Sequence, residues 1–240
     1  MKNEAAKKKM VVPYYQIATD DDSRTASITI YGDITSWPWL ESDVSSYRLA
    51  TKLDGLDVDH IDVYINSYGG EVAEALAIYH SLRRHKASVT TYCDGFACSA
   101  ASVIFCAGDD RIMGPSSLLM IHPASSGVWG NAKEMRKQAD DLDKITDASV
   151  TAYLAACGDH IDRDTLIGLM EAETWLSPDD AVSYGFATAI DDYTDAVSAP
   201  SQSARNYLFE AVFRVRKTGN EPKQTQSKSV FCAFLKKEVK

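Results

Sequence analysis

The feature that most restricts the fold is a change of apolar period that recurs along the chain. Ile61, Val63 and Ile65 alternate as a strand does, and after Gly69-Gly70 the period lengthens, with Val72, Leu76, Tyr79 and Leu82 at helical spacing. The pattern then repeats. Ser88 to Cys93 reads as a second strand, Asp94-Gly95 as a turn and Ala100 to Ala107 as an apolar helix, and a pair of short strands is expected to flank Gly114-Pro115. Strands that alternate with helices are joined by crossovers, so the chain is expected to fold as an α/β domain.

The first strand is expected at Ala26 to Tyr31, behind the turn-like acidic cluster Asp20 to Asp22. The division this gives is an N-terminal tail over 1–25, a folded domain over 26–193, and a linker and C-terminal tail over 194–240 with a short amphipathic helix at 207–215. The longest helical pattern runs from Asn131 to Cys157, with Met135, Ala139, Leu142, Ile145, Ser149 and Ala152 on one stripe. Asn131 followed by Glu134 starts it and Gly158 ends it. Such a stripe packs equally well on its own domain or on another subunit. A last helix opens at Ser177-Pro178-Asp179-Asp180, a cap followed by proline at the first helical position, and closes at Gly185.

Composition removes several classes of function. Residues 11–200 hold 12 basic and 30 acidic side chains, a net charge of −18, which does not suit a nucleic-acid binder. No stretch approaches the roughly 20 apolar residues of a membrane span, and Met1 to Lys9 lacks the apolar core of a secretory signal, so a soluble, cytoplasmic protein is expected. Cys93, Cys98, Cys106, Cys157 and Cys232 are odd in number and lack C-x-x-C spacing, so free thiols are expected rather than a disulfide framework or a zinc site. No cofactor or metal is needed for the chemistry below.

Three segments carry residues suited to nucleophilic catalysis. Ser99 lies in Gly95-Phe96-Ala97-Cys98-Ser99-Ala100, at a strand-to-helix turn crowded with small residues. A helix N-terminus leaves backbone N–H groups unpaired, so a serine there can attack a carbonyl while the next N–H receives the oxyanion. A plain helix cap is the alternative. Asn66-Ser67-Tyr68-Gly69-Gly70 places two glycines at a strand end, where backbone can approach a bound group. Met120-Ile121-His122-Pro123 ends an apolar run in a histidine that proline holds extended, as suits a general base at a strand end.

The order of these segments resembles the Clp protease proteolytic subunit over about residues 26–193. The resemblance rests on Tyr64-Ile65-Asn66-Ser67-Tyr68-Gly69-Gly70, Gly95-Phe96-Ala97-Cys98-Ser99, Met120-Ile121-His122-Pro123 and Glu173-Thr174-Trp175-Leu176-Ser177. It implies a crotonase-like fold of repeated β-β-α crossover units with a protruding long helix. It also implies Ser99 as nucleophile, His122 as general base, Glu173 as the acid, and the N–H groups of Gly70 and Ala100 as the oxyanion hole. Glu173 stands where the family usually has aspartate, and Glu171 and Asp179 are its local rivals. An extended peptide is expected to add as a strand beside 122–130, against Gly69, Pro123, Ala124 and Ser125.

The resemblance further implies a homo-oligomer of two stacked seven-membered rings, built through the long helix and a strand after His122. Possible partners are an AAA+ unfoldase or, since the divergent body and added tail look like the Clp-related proteases of phages and prophages, capsid proteins in a prohead. Tyr68 in place of proline and Ala100 in place of a common methionine depart from the family pattern. Two other readings use the same fold: a crotonase-type acyl-CoA enzyme, against which the Ser99 and His122 pair argues, and a catalytically silent scaffold protein, which should lack one of them. Cys98 is expected to pack rather than react.

Overall fold

The computed structural model describes residues 15–20, 24–40 and 43–192. The expected helix at 207–215, the linker and tail from 194 onward, and Cys232 lie outside these residues. Eight strands form one mixed sheet: β1 (Tyr15–Asp20), β2 (Thr25–Ile30), β3 (His60–Ser67), β4 (Ser88–Cys98), β5 (Asp110–Met113), β6 (Leu118–Met120), β7 (Trp175–Leu176) and β8 (Ala189–Ile190). Six helices accompany them: α1 (Ser46–Leu53), α2 (Val72–Arg84), α3 (Ala100–Phe105), α4 (Ala132–Cys157), α5 (Arg163–Glu171) and α6 (Pro178–Ser183). The order across the sheet is β1-β2-β3-β4-β5-β8. β6 lies beside the second half of β4, and β7 lies beyond β6. All pairings are parallel except β1 with β2 and β6 with β7.

One face of this sheet makes the core. Ala26, Ile28 and Ile30 of β2 and Ile61, Val63 and Ile65 of β3 are fully buried, together with Ala75, Ile78 and Leu82 of α2 and the whole of α3. The alternate residues of β3, His60, Asp62, Tyr64 and Asn66, and Tyr68 just after it, are half-buried or exposed. A parallel sheet is usually covered on both faces and then shows unbroken apolar runs. Here the period-2 pattern that made β3 readable reflects one covered face.

Three segments differ from the expectation, each for a local reason. The stretch read as an N-terminal tail contains a strand, β1, in antiparallel register with β2 (Ile17 opposite Ile28). β4 does not turn at Asp94-Gly95 but continues to Cys98, because the Asn66 carboxamide oxygen accepts the Phe96 N–H (3.1 Å) where the β3–β4 register shifts. The strand expected after His122 is absent from the single chain. Residues 121–129 have no regular structure, and the Ala124 N–H already donates to Thr146 Oγ1 of α4 (3.0 Å).

Helix α4 begins as its sequence indicates. The Asn131 side chain accepts from the N–H groups of Lys133 and Glu134, and Glu134 accepts back from the Asn131 N–H. Its stripe divides. Met135, Ala139 and Ile145 are exposed, Leu142 is half-buried, and only Ser149 and Ala152, with Val150, Tyr153 and Cys157, enter the core. Trp129, 97% exposed, lies just before the helix. Among the described residues no helix is long and apolar enough to cross a membrane.

Arg111 of β5 ties the far side of the domain together. Its guanidinium donates to the carbonyls of Phe186 (2.8 Å), Gly108 (3.0 Å), Ala156 (3.1 Å) and Gly185 (3.2 Å), which lie in the last turn of α4 and in the connections just after α3 and α6. Carbonyls at helix ends lack intrahelical partners, so one cation meets several of them at once. Arg111→Ala is expected to lower unfolding free energy by about 3 kcal/mol, on the scale of lost hydrogen bonds to a charged group. Urea denaturation of the full chain checks this, with Arg111→Lys recovering only part of the loss.

Candidate active site

Strands β3, β4 and β6 run parallel, and their carboxyl ends place the three segments singled out above side by side. This is the edge of an α/β sheet at which ligands usually bind. The site is built from the turn that follows each strand.

The turn after β4 holds Ser99 at φ 54°, ψ −123°, a backbone conformation that non-glycine residues rarely adopt. Such a residue costs on the order of 1–3 kcal/mol and persists only where its surroundings fix it. Here the Ser99 N–H donates to the Met120 carbonyl (2.8 Å). The Ser99 carbonyl accepts from the Ser102 N–H (3.0 Å) and Ser102 Oγ (2.6 Å). Tyr153 of α4 completes this support, donating to Ser102 Oγ (2.7 Å) inside the core, where burial raises its phenol well above the ordinary value. Ser102 and Tyr153 are positioning residues that the sequence reading did not find. The spacing of Ser102 three residues after Ser99, a common cap spacing, was the available signal.

The strained turn leaves the Ser99 side chain with no cap hydrogen bond, and its Oγ lies 2.7 Å from Nε2 of His122. In the tautomer with the proton on Nδ1, Nε2 accepts from the hydroxyl, the arrangement a general base requires. The neighbouring Cys98 is fully buried, and burial pushes its thiol up to about 12, so it holds almost no thiolate near neutral pH. All four cysteines among the described residues are buried and free.

The turn after β3 brings Gly69 against Ser99, with Gly70 next in the chain. A side chain on Gly69 would meet the Cys98 carbonyl at 2.6 Å and the Ala100 nitrogen at 2.9 Å. Gly70 forms a parallel bridge with Ile34, in which Ile34 N–H donates to the Gly69 carbonyl (2.9 Å) and Glu71 N–H to the Ile34 carbonyl (2.8 Å). This pattern turns the N–H of Gly70 away from Ile34. Ala100 is the first residue of α3, and its N–H has no partner within the helix. Glu71 anchors the turn from outside, its Oε1 accepting from Thr35 Oγ1 (2.9 Å), Ser36 N–H (3.1 Å) and Ser36 Oγ (3.0 Å). Burial acts to raise the Glu71 carboxyl, but these hydrogen bonds outweigh it and hold the group below its ordinary value.

Glu173 follows α5 at φ 49°. Its N–H donates to the Met170 carbonyl (2.9 Å) and the next N–H, of Thr174, to Leu169 (3.2 Å), the pair of bonds that closes a helix with a left-handed residue, usually glycine. An acid stands in that place here. Leu119 pairs with Leu176 and Met120 with Trp175, and Ile121 N–H donates to the Thr174 carbonyl (3.1 Å), so the antiparallel register continues to set Glu173 opposite His122. Among the described residues no hydrogen bond joins the two side chains, and Glu173 is exposed. Glu171 and Asp179 are exposed as well. Of the expected peptide-contacting residues, Gly69 is buried against Ser99, Pro123 and Ala124 are half-buried, and Ser125 is exposed.

Among the described residues no three His, Cys, Asp or Glu side chains cluster as metal ligands would. What the sheet edge assembles is a hydroxyl and an imidazole in hydrogen-bond contact beside a glycine turn and a helix N-terminus, the layout of a serine-nucleophile α/β protein. The chain belongs to the Clp protease family, whose model matches residues 46–193. It is 39% identical over 138 residues to the ATP-dependent Clp protease proteolytic subunit of Deinococcus radiodurans, covering 56% of this chain and 66% of that protein. It is 32% identical over 143 residues to proteolytic subunit 1 of Rhodococcus jostii (55% of this chain, 65% of that protein). It is 34% identical over 137 residues to subunit 1 of a Synechococcus strain (55% and 67%). The matches thus span about two thirds of the length of these relatives.

Proposed function

We propose that this protein is a serine endopeptidase that uses Ser99 as nucleophile, His122 as general base and Glu173 as the acid. The observation that carries the reading is the Ser99 hydroxyl, presented by a strained backbone and lying 2.7 Å from His122 Nε2. Ser99 Oγ attacks the scissile carbonyl while His122 takes its proton and later passes it to the departing amine. The N–H groups of Gly70 and Ala100 receive the oxyanion, and water releases the acyl group from Ser99. The names of the three relatives support a proteolytic role.

The reading includes a crotonase-like domain over 26–193, extended at its start by β1, and a ring assembly, two stacked heptamers, that encloses the sites. The projecting part of α4 and exposed Trp129 suit contact between copies. In such a ring the 122–130 segment would gain the strand partner it lacks in one chain. The protein would act in the cytoplasm with an AAA+ unfoldase, or in a phage prohead on capsid proteins.

A fluorophosphonate probe followed by peptide mapping tests the nucleophile; labelling elsewhere, or none, overturns the assignment. The acid has its own test. Glu173→Gln is expected to lower peptide turnover by about a hundredfold or more, while Glu171→Gln and Asp179→Asn leave it within a few-fold. A large loss in Glu171→Gln with Glu173→Gln unaffected would move the role to Glu171.

A further inference from the structure

The half-exposed face of the sheet carries a cavity of about 330 Å³ lined by Tyr31, Asp33, Asn66, Tyr68 and Phe96, at the carboxyl ends of β2, β3 and β4. Two of its lining residues, Ser67 and Tyr68, immediately precede Gly69 and Gly70 in the chain. The aromatic wall is braced. Tyr68 meets Phe96 edge to face (centroids 5.6 Å apart), and Phe96 meets Trp175 in the same way (5.6 Å). Tyr31 is held by its bond to Asp94. The Asn66 carboxamide oxygen accepts the Phe96 N–H, and Asp33 brings the one carboxylate among the lining residues.

Among the described residues no hydrogen bond or salt bridge reaches that carboxylate, and no lysine or arginine lines the cavity. Asp33 is exposed to solvent, and the limited desolvation it feels beside the cavity, reinforced by the nearby Asp43, raises its carboxyl above the ordinary value. Aromatic faces attract cations, and a carboxylate adds a charge-assisted hydrogen bond. A neutral apolar side chain would leave Asp33 desolvated, and an anion would be repelled by a body of net charge −18.

We infer that this cavity is a subsite for a lysine or arginine side chain of the bound peptide, with Asp33 taking the charge and Tyr31, Tyr68 and Phe96 covering the alkyl stem. The subsite rests on the peptidase reading for its position in a substrate path, but its ligand chemistry comes from the cavity alone.

The test uses the full chain carrying Ser99→Ala, so that bound peptide is not consumed. Two fluorescein-labelled decapeptides of Ser, Gly and Ala are titrated by anisotropy, one with a central lysine and one with Nε-acetyl-lysine there. The lysine peptide should bind about fivefold tighter or better. High salt and Asp33→Asn should each remove most of the difference while leaving the acetylated peptide unchanged, and Phe96→Leu should reduce it. Equal affinities, no measurable binding of either peptide, or a preference that survives Asp33→Asn overturns the inference. Fluorophosphonate labelling of the otherwise wild-type chain with and without Asp33→Asn separates the two claims. No labelling in either sinks the peptidase reading, whereas equal labelling without lysine preference sinks the subsite alone and shows that the variant folds.

Discussion

Ser99→Ala is expected to lower peptide cleavage by about a thousandfold or more and to abolish fluorophosphonate labelling, with little change in thermal stability. The size of the loss follows from the geometry. Among the described residues Ser99 Oγ has one hydrogen-bond partner, His122 Nε2. The adjacent thiol of Cys98 cannot substitute, being fully buried and pushed up to about 12. The small effect on stability has its own reason. Alanine suffers the same strain as serine at φ 54°, and the bonds that hold the turn, from Ser99 N–H to Met120 and from Ser102 to the Ser99 carbonyl, use backbone that alanine retains. Hydrolysis of a fluorogenic peptide, fluorophosphonate labelling and a melting curve measure the three consequences. Cleavage that persists at the wild-type rate would remove Ser99 from the mechanism.

What could be read before the structure was the part in which period and order speak for themselves. The strand and helix around Gly69-Gly70 sit where the alternation of Ile61, Val63 and Ile65 and the spacing of Val72 to Leu82 put them, because one face of each is buried. The caps of α4 and α6 were likewise legible, since Asn131 with Glu134 and Ser177 with Asp180 satisfy unpaired N–H groups by local bonds. Strands of two residues such as β7 and β8 have no period to detect. The end of α5 was hidden because Glu173 occupies the left-handed place where a glycine would announce it.

The pairing of Ser102 with Tyr153 beneath Ser99 was beyond reach for a different reason. Ser102 and Tyr153 are 51 positions apart, and neither residue type marks a buried hydroxyl pair until α3 and α4 are packed together. The continuation of β4 through Asp94-Gly95 depends on the Asn66 side chain, 30 positions away from Phe96. Long-range polar bonds of this kind decide which turn is a turn. They also explain why Ser99 could be singled out from motif order while the bonds that hold its turn could not.

Gly70→Ala is expected to lower turnover about a hundredfold or more, on the scale of removing one oxyanion donor. Gly70 sits at φ 147°, and a methyl group there would stand 2.0 Å from the Ile34 carbonyl oxygen and 3.0 Å from the Ile34 nitrogen. Both obstacles are backbone, so no rotamer change relieves them. The turn has to move, and with it go the Ile34–Gly70 bridge and the direction of the Gly70 N–H. Some loss of stability is expected because the two bonds flanking the bridge weaken together. Gly168→Ala supplies the contrast: it lies inside α5 with open space at its side-chain position, so alanine should raise stability by up to about 1 kcal/mol and leave turnover unchanged. Turnover and melting temperature measured on both variants separate the site effect from a general glycine effect. A Gly70→Ala chain that is folded and cleaves peptide at the wild-type rate would mean that the oxyanion is held elsewhere.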